Sequence, residues 1–411
     1  MRKNIFAFVC AGFLTCAPHG ALAEPLKIAF VETLSGITAS GGKVYQDATT
    51  ISIEKLNAAG GFNGEPIELM VFDNGGNTSQ TSDKVKEAID KGAHIIVQAG
   101  ASAVAAQISE DIRKYNLRNP NKPVLALILG AEALDLTGAK CNFYTFRLTL
   151  TASMRINALL EALKKNNQLG SRIFSINQNY SYGWDVESTV VAGAQKYGYE
   201  IAGKVLHDIG RVQDFAPYAV KIKDTNPDMV ITGNWSTDLV LLIKAARESG
   251  LKAAFAATYL DYPGMLASLG ELADGQYVVT TFNPEFESPQ VVESFKAKTG
   301  RYPTFGADLH ILSMFDLLAG ALQKINVKNG AVDAKKIAFA LEEASLKDAM
   351  GMSTIRKEDH QAILPVSVSV VKEGVKYRAD GSRFGFAPVA VIPGEQVIYP
   401  VQSTCKMVRP E

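Results

Sequence analysis

The sequence has few residues that could carry metal or redox chemistry: 4 of its 411 residues are cysteine and 5 are histidine. None stands in an HExxH, CxxC or EF-hand spacing. The nearest match to a P-loop is residues 41–44 (GGKV), which lack the Ser or Thr after the lysine, and no GxGxxG follows a predicted strand. The nearest match to a nucleophile elbow is residues 100–104 (GASAV), which lack the second glycine. We therefore expect no metal, no cofactor and no enzymatic activity.

Neither sign of charge predominates. Lys and Arg number 42 and Asp and Glu number 42, so the formal net charge is zero and gives no reason to expect nucleic acid or an anionic membrane as a partner. Hydrophobic residues make up 47% and charged residues 20%, which is ordinary globular composition and excludes a disordered, collagen-like or coiled-coil chain. The length predicts two or three domains.

Residues 1–23 have the pattern of a cleavable secretory signal peptide. Arg2 and Lys3 form its charged region, residues 5–14 its apolar region, and residues 21–23 (ALA) its cleavage site. The mature chain is then expected to begin at Glu24. No later apolar run approaches the ~20 residues that a transmembrane helix needs.

Only two cysteines, Cys141 and Cys405, follow this segment. In an oxidising compartment such a pair is more often a disulfide than a metal or redox site. The bridge would tie the carboxyl-terminal tail back to the body of the protein. The alternative is two unpaired buried thiols.

From Glu24 onward, short β-branched runs alternate with longer helical patterns. Ten predicted strands cover residues 27–31, 67–72, 95–98, 124–129, 143–148, 172–176, 201–206, 229–232, 254–258 and 277–281. Residues 289–345 are mostly helical in pattern, and further strands are predicted at 366–371, 389–391 and 397–399. Alternating strands and helices predict parallel sheets, and ten strands are more than one small sheet uses. The fold class is therefore α/β with two lobes.

One helix has clear start and stop signals. Residues 236–249 place Leu239, Leu242 and Ile243 on one face, and the sequence predicts Ser236 as N-cap and Gly250 as the residue that ends the helix. In open parallel sheets, ligands bind beyond the carboxyl ends of the strands. The loops that follow the predicted strands are therefore the candidate site, at residues 33–42, 73–78, 99–102, 130–135, 177–185, 233–238 and 259–264.

The sequence resembles the periplasmic solute-binding proteins of the branched-chain amino acid (Leu/Ile/Val) ABC transporter family. The resemblance is carried by residues 57–69 (NAAGGFNGEPIEL), 34–36 (LSG), 72–73 (FD), 182–183 (YG), 245–250 (AARESG) and 359–362 (DHQA). It covers nearly all of residues 24–411. The order of these motifs behind a signal peptide is more specific than any one of them.

This resemblance implies a type I periplasmic binding fold, with two Rossmann-like lobes joined by a three-strand hinge. The crossovers would fall near residues 143–151, 276–284 and 351–363. Lobe 1 is then expected to comprise residues 24–145 and 282–350, and lobe 2 residues 146–281 and 351–411, including the carboxyl-terminal tail.

The resemblance also implies a function in the periplasm. The chain would be the substrate-binding component of an ABC importer that captures a small solute between two closing lobes and delivers it to membrane permease subunits. It would act as a monomer and not as an enzyme. An alternative with the same closure is a periplasmic receptor that reports to a sensor kinase or a chemoreceptor.

In the family, a serine after the third strand and an alanine and a threonine after the fourth hold the ligand's carboxylate and ammonium. The corresponding residues here are Ala101 and Ser102, then Ala131 and Glu132, and Ser40 in the loop after the first strand is a further candidate. Ser102 has an alternative role as an N-cap. Glu132 stands where the family has threonine, so it either faces solvent or meets a cation or donors of the ligand.

In lobe 2, Tyr182 corresponds to a family tyrosine near the cleft and Trp235 to an aromatic residue that closes over the ligand. Tyr259 and Asp261 lie in a neighbouring loop. Asp261 is the carboxylate nearest to the family's ammonium-binding position, and its alternative is an exposed loop acid or N-cap. Trp184 is expected to pack in the core. Aromatic side chains favour stacking or cation–π contacts, which points toward an aromatic or otherwise unusual ligand, while aliphatic amino acids, amides and urea stay open.

Overall fold

The structure is a computed structural model that describes residues 24–36, 39–325 and 331–410. The predicted signal peptide, residues 1–23, lies outside the described residues. Within the described ranges, no helix is long and apolar enough to cross a membrane.

The first sheet has five parallel strands in the order β2-β1-β3-β4-β5. They are β1 (Lys27–Glu32), β2 (Glu68–Asp73), β3 (Ile95–Gln98), β4 (Leu125–Ile128) and β5 (Thr145–Arg147). Helices α1 (Ala39–Ala58), α2 (Thr78–Asp90) and α3 (Ser102–Arg118) connect them. Strands β3 and β4 are buried along their whole length, as expected for a parallel sheet covered on both faces.

The second sheet begins with five parallel strands, β6 (Arg172–Gln178), β7 (Glu200–His207), β8 (Met229–Thr232), β9 (Ala254–Ala257) and β10 (Tyr277–Thr280). Its helices are α4 (Ala152–Lys165), α5 (Ser181–Tyr197), α6 (Ala216–Asp224), α7 (Ser236–Glu248) and α8 (Met265–Leu269). The two sheets confirm the predicted α/β class and fit two lobes.

The chain then returns to the first sheet before it completes the second. Helices α9 (Pro289–Thr299), α10 (Gly306–Leu322) and α11 (Ala334–Glu342) follow β10, and α10 packs against α1. Strands β11 (Ser345–Lys347), β12 (Met352–Ile355) and β13 (Ala362–Ile363) form a small antiparallel sheet. Strands β14 (Val366–Glu373) and β15 (Phe384–Ile392) add antiparallel to β10, which gives the order β15-β14-β10-β9-β8-β6-β7.

The chain therefore passes three times between the two sheets, and the first and third passages are bonded to each other. Arg147 and Gln361 form an isolated parallel bridge. The Arg147 backbone N–H donates to the carbonyl of His360 at 3.0 Å, and the Gln361 amide donates to the carbonyl of Thr149 at 2.7 Å. The hinge is thus held by side chains as well as by the backbone. The exact lobe borders stay a prediction.

Most predicted elements are confirmed, and the exceptions have local causes. All ten early strands are present, and the run 389–391 lies inside β15. The strand predicted at 397–399 is wrong, because a short 3-10 helix (Gly394–Gln396) precedes it and the segment has no ladder partner. Ser236 is not the N-cap: it is the first residue of α7, with a positive φ of 56°, and Trp235 occupies the cap position with no side-chain hydrogen bond to the first turn of the helix. Gly250 ends α7 as predicted, with φ of 83°.

The predicted disulfide is confirmed. Cys141 and Cys405 are bonded, with their Cα atoms 5.4 Å apart and 264 positions apart in the chain. The alternative of two unpaired thiols is therefore wrong. Beside the bridge, the Gln402 amide donates to the carbonyl of Leu134 at 2.6 Å. The tail that follows the second sheet is thus fixed to the loop before β5 of the first sheet.

Candidate ligand-binding cleft

The loops that follow strands of the first sheet meet those of the second sheet and enclose a space that we call the cleft. Four contacts cross it: Glu132 with Arg155, Gly41 with Tyr262, Gly306 with Asp261, and Leu134 with Asp185. One cavity within the cleft has walls from both sides, which include Tyr45, Glu132, Arg155, Tyr259, Asp261 and His310. The loops predicted from the strand order therefore do come together, as the rule for open parallel sheets requires.

Glu32, the last residue of β1, is a buried carboxylate at the carboxyl end of the first sheet. One of its oxygens, Oε2, accepts from the backbone N–H groups of Ala99 at 2.9 Å and Gly100 at 2.7 Å, while Oε1 accepts from the N–H of Thr33 at 2.8 Å. Burial raises the pKa of the Glu32 carboxyl, and these backbone bonds oppose the rise. A Cβ on Gly100 would lie 2.6 Å from Oε1, so the glycine leaves room for this arrangement.

Glu132 and Arg155 form a buried ion pair across the cleft. Glu132 is 2% exposed and Arg155 is 4% exposed. The arginine Nε lies 2.9 Å and 3.1 Å from the two carboxylate oxygens, and a terminal nitrogen bonds the carboxylate as well. The interpretation that Glu132 faces solvent is therefore wrong. The alternative prediction was that Glu132 meets a cation or donors of the ligand. Its cationic partner is instead Arg155 of the same chain.

Arg155 has further partners that fix its position at the start of α4. Its remaining terminal nitrogen donates to the carbonyls of Thr258 at 3.2 Å and Val279 at 2.6 Å. The guanidinium also lies 4.9 Å from the centre of the Tyr259 ring, a cation–π distance. Most of the donors of the guanidinium are therefore already used within the chain.

An aromatic wall lines the side of the cleft formed by the second sheet. The Trp235 indole donates to the hydroxyl of Tyr180 at 3.0 Å, and the ring centres of Tyr180 and Tyr182 are 5.9 Å apart, as are those of Tyr182 and Tyr259. Trp235 and Tyr259 are half-buried, whereas Tyr182 is buried. Partly exposed ring faces on an otherwise fixed wall suit contact with a bound solute.

Tyr262 reaches across the cleft from the second sheet to helix α1. Its hydroxyl lies against Gly41, where an added Cβ would come within 1.9 Å of the hydroxyl oxygen, and burial raises the pKa of that hydroxyl. Its ring packs edge-on to Phe305, with centres 5.6 Å apart, and lies 6.3 Å from Trp235. Because the two sides of this contact belong to different sheets, it can exist only while the cleft is closed.

Asp261 is buried at 6% exposure and does not lie in an exposed loop. Its Oδ2 accepts from the backbone N–H of Gly306, the first residue of α10, at 2.8 Å. Its Oδ1 has no hydrogen-bond partner within the described part of the chain. Burial raises the pKa of this carboxyl to about 7. A buried carboxylate oxygen without a hydrogen bond costs free energy. The Oδ1 atom of Asp261 is therefore available to accept a hydrogen bond from a donor.

The other predicted residues lie at the rim or in the wall. Ser40 is exposed in the first turn of α1. Ala101, not Ser102, occupies the N-cap of α3. The Ser102 hydroxyl is buried and accepts from the N–H of Ala133 at 3.3 Å, and Ala131 is buried in the core. Direct contact of these residues with a ligand stays a prediction.

One correction and two omissions remain. Trp184 is not a core residue: it is 53% exposed, and its indole donates to Asn179. Glu32 and Arg155 were not among the site residues predicted from the sequence. Each left a signal, since Glu32 is an acid that ends an apolar strand and Arg155 is a cation within the buried face of α4. Across residues 24–36, 39–325 and 331–410, no group of three or more His, Cys, Asp and Glu is arranged to hold a metal ion.

The family model described as periplasmic binding protein matches residues 25–376. The chain belongs to the periplasmic binding protein family. A Leu/Ile/Val-binding protein homolog 4 from Brucella melitensis is 48% identical to this periplasmic binding protein over 404 residues, which is 98% of this chain and 97% of that one.

Solved structures agree with this assignment. A leucine-, isoleucine-, valine-, threonine-, and alanine-binding protein from Brucella ovis in a closed conformation matches with a TM-score of 0.91 at 48% identity, over 94% of this chain and 100% of that one. A branched chain amino acid ABC transporter periplasmic ligand-binding protein from Burkholderia xenovorans matches with a TM-score of 0.77 at 21% identity, over 93% and 99%. These neighbours confirm the type I periplasmic binding fold of this periplasmic binding protein.

Proposed function

We propose that the protein is the periplasmic substrate-binding component of an ABC importer. It captures a small solute, an amino acid or a related compound, between two closing lobes and presents the closed form to membrane permease subunits. The observation that carries this proposal is the contact between Tyr262 and α1, because it joins the two sheets across a cleft lined by polar and aromatic groups. The names of the 48%-identical relatives support the amino-acid class.

The mechanism follows from the hinge. A solute that touches both sides binds the closed form better than the open form and so shifts the equilibrium toward closure by that difference in affinity. The contacts of Tyr262 with Gly41, and of Asp261 with Gly306, add to the closed form alone. The permease then distinguishes loaded from empty protein by shape.

The ligand is proposed to meet Trp235 and Tyr259 on the second-sheet side, and Ser102 and the loop at Ala131 on the first-sheet side. The lobe borders predicted from the sequence, residues 24–145 with 282–350 and residues 146–281 with 351–411, describe the two bodies that move. The predicted signal peptide and the disulfide support a periplasmic location. A monomer is sufficient for this mechanism, because one chain supplies both walls of the cleft.

The test is a thermal-shift screen of the mature chain, refolded free of carried-over ligand, against amino acids, amides, amines and aromatic acids. A compound at ~100 times its dissociation constant should stabilise the folded form by ~2.7 kcal/mol. If no compound of any class changes the melting temperature, the proposal of a solute receptor is wrong. Deleting the gene should then abolish uptake of the identified ligand. Normal uptake with a lost chemotactic or transcriptional response would favour the sensory receptor instead.

Trp235→Ala tests the proposed aromatic contact. Loss of a buried aromatic anchor costs about 1–3 kcal/mol of binding free energy, so the dissociation constant of the identified ligand should rise by roughly 5- to 150-fold. Trp184→Ala is the matched control, because Trp184 is exposed and lies outside the cleft wall. Isothermal titration measures both. Equal, wild-type affinity in the two variants would remove Trp235 from the site.

A further inference from the structure

A buried polar pair adjoins Trp235 and takes no part in the mechanism proposed above. Asn234, which precedes the tryptophan in the loop after β8, is fully buried, and His207, the last residue of β7, is 3% exposed. The Asn234 side-chain nitrogen lies 2.8 Å from Nε2 of His207. Since β6 lies between β7 and β8 in the sheet, this bond joins the ends of two strands that are not neighbours.

The hydrogen on the His207 ring can be placed from the groups around it. Its Nδ1 lies 3.1 Å from the carbonyl oxygen of Asp208. A carbonyl only accepts, so Nδ1 carries the hydrogen, and in the neutral ring Nε2 is left as the acceptor. The Asn234 amide N–H therefore donates to His207. Phe215 and Tyr218 lie edge-on to the imidazole, with ring centres 5.0 Å and 5.8 Å away, so packing fixes the acceptor.

The backbone around Trp235 has an unusual conformation. Ser236, which follows it, has a positive φ of 56°, a region that costs a non-glycine residue free energy and persists only where neighbouring groups enforce it. The N–H groups of the two residues before the tryptophan donate to the side chains of Asn177 at 2.7 Å and Thr232 at 3.0 Å. The side-chain bond to His207 is the third restraint on this turn.

Stability alone does not explain the bond between Asn234 and His207. The other end of the Asn234 side chain, Oδ1, is buried and has no hydrogen-bond partner within residues 24–36, 39–325 and 331–410. A buried acceptor without a partner costs free energy, and an apolar pair of the same shape would avoid that cost. A polar pair kept at this cost favours a role in fixing one geometry of the turn.

The turn sets the direction of the Trp235 indole. The indole N–H donates to the hydroxyl of Tyr180 at 3.0 Å, and the ring centre lies 6.3 Å from that of Tyr262. Because the indole is only half-buried, its direction depends on the backbone that carries it as well as on these two contacts.

We propose that His207 is a positioning residue: its bond to Asn234 holds the turn that carries Trp235 and so keeps the indole in the wall of the cleft. This inference rests on the proposed function, since Trp235 is the proposed solute contact on the second-sheet side. His207 acts through Asn234 and touches no solute itself. Loss of the bond releases the indole without unfolding the second sheet.

The experiment reads the position of Trp235 directly and needs no solute. The chain has two tryptophans, so Trp184→Phe leaves Trp235 as the only one, and Trp184 is exposed. In this background His207→Phe keeps an aromatic ring beside Phe215 and Tyr218 but removes the acceptor. Acrylamide quenching of the fluorescence should rise about twofold or more, because the indole leaves its place more often. Quenching equal to that of the background variant would overturn the inference.

Two further variants separate positioning from general destabilisation, with urea unfolding measured for each. His207→Gln offers a side-chain oxygen near the place of Nε2 and should return the quenching most of the way to the background value. Tyr199→Phe is the matched control, because it removes a hydrogen bond to the carbonyl of Val190 in the same half of the molecule. It should leave the quenching unchanged.

Either of two results with these variants would also overturn the inference. One is quenching in His207→Gln as high as in His207→Phe, because the acceptor would then be irrelevant. The other is an equal rise in Tyr199→Phe at an equal loss of stability, because His207 would then be merely structural.

A double variant keeps the test decisive if His207→Phe does not fold. Adding Asn234→Leu replaces both partners by apolar groups, so neither is left buried and unpaired. The double variant should fold and show the raised quenching. Quenching at the background value would mean that packing alone holds the turn, and would overturn the inference.

Failure of this inference and failure of the proposed function are distinguishable. If the thermal-shift screen gives no response, the proposed function fails, while the quenching still shows whether His207 holds the indole. If the screen identifies a solute but the quenching does not change, the inference fails and the proposed function stands.

Discussion

Gly41 is the position where one methyl group should prevent closure of the cleft. A Cβ at Gly41 would lie 1.9 Å from the hydroxyl oxygen of Tyr262 and 2.8 Å from the ring carbon that carries it. Ordinary contact begins near 3.4 Å, so in Gly41→Ala the tyrosine must retreat by about 1.5 Å. Phe305 and Trp235 flank its ring and limit that movement.

The size of the effect follows from overpacking. Forcing an extra carbon into a packed site costs about 1–3 kcal/mol, and here only the closed form carries the cost, because Gly41 and Tyr262 are on opposite sides of the cleft. The affinity for the ligand should therefore fall by roughly 5- to 150-fold. The free energy of unfolding should change little, since the open form accommodates alanine in α1.

The assay is isothermal titration of the identified ligand into wild type and Gly41→Ala, with urea unfolding in parallel. Gly320→Ala is the control, because Gly320 lies in α10 and a Cβ there has no atom within 4 Å. That variant should bind as wild type does. Adding Tyr262→Phe to Gly41→Ala removes the nearest atom and should restore part of the affinity. Wild-type affinity in Gly41→Ala would refute the reasoning.

Three further predictions concern stability and are measured by urea unfolding. Glu132→Gln should cost about 3–5 kcal/mol because it leaves the Arg155 guanidinium buried without its partner, and adding Arg155→Met should recover much of that loss; equal losses in the single and double variants would contradict the pairing. Cys405→Ser should destabilise the protein by roughly 2–5 kcal/mol, since the bridge to Cys141 closes a loop across 264 positions in the unfolded chain. A wild-type midpoint would show that the bridge does not form. Burial raises the pKa of Asp261 from 3.8 to about 7, so between these pH values the ligand-free folded form holds a proton that the unfolded form releases. The free energy of unfolding should therefore fall as pH rises from about 4 through 7, and the difference in that free energy between wild type and Asp261→Asn should change with pH in the same way. A difference that does not vary with pH would contradict this prediction.

The positions of the strands along the chain were predictable from the sequence because they depend on local patterns. Short aliphatic runs such as Ile95–Gln98 and Leu125–Ile128 are buried on both faces, and their composition shows it directly. The loops of the cleft were predicted from the carboxyl ends of these strands. The failures were also local: the run 397–399 has strand composition, but it follows the 3-10 helix Gly394–Gln396 and pairs with no strand.

The chemistry of the cleft was less accessible, because it depends on which side chains meet. Glu132 was identified as unusual, yet its partner Arg155 stands 23 positions later and in the second-sheet half of the molecule. Glu32 bonds amides 67 and 68 positions away. Such pairings come from the packing of the two sheets and leave only a weak trace in the sequence, a charge inside an apolar segment.

The central claim is that the protein closes over a solute. Small-angle X-ray scattering tests it most directly, with the refolded mature protein measured alone and with a saturating amount of the ligand identified by the screen. We expect binding of one ligand per chain together with a smaller radius of gyration, and in Gly41→Ala the same decrease only at a ligand concentration roughly 5- to 150-fold higher. Stoichiometric binding with identical scattering curves for free and loaded wild-type protein would contradict it.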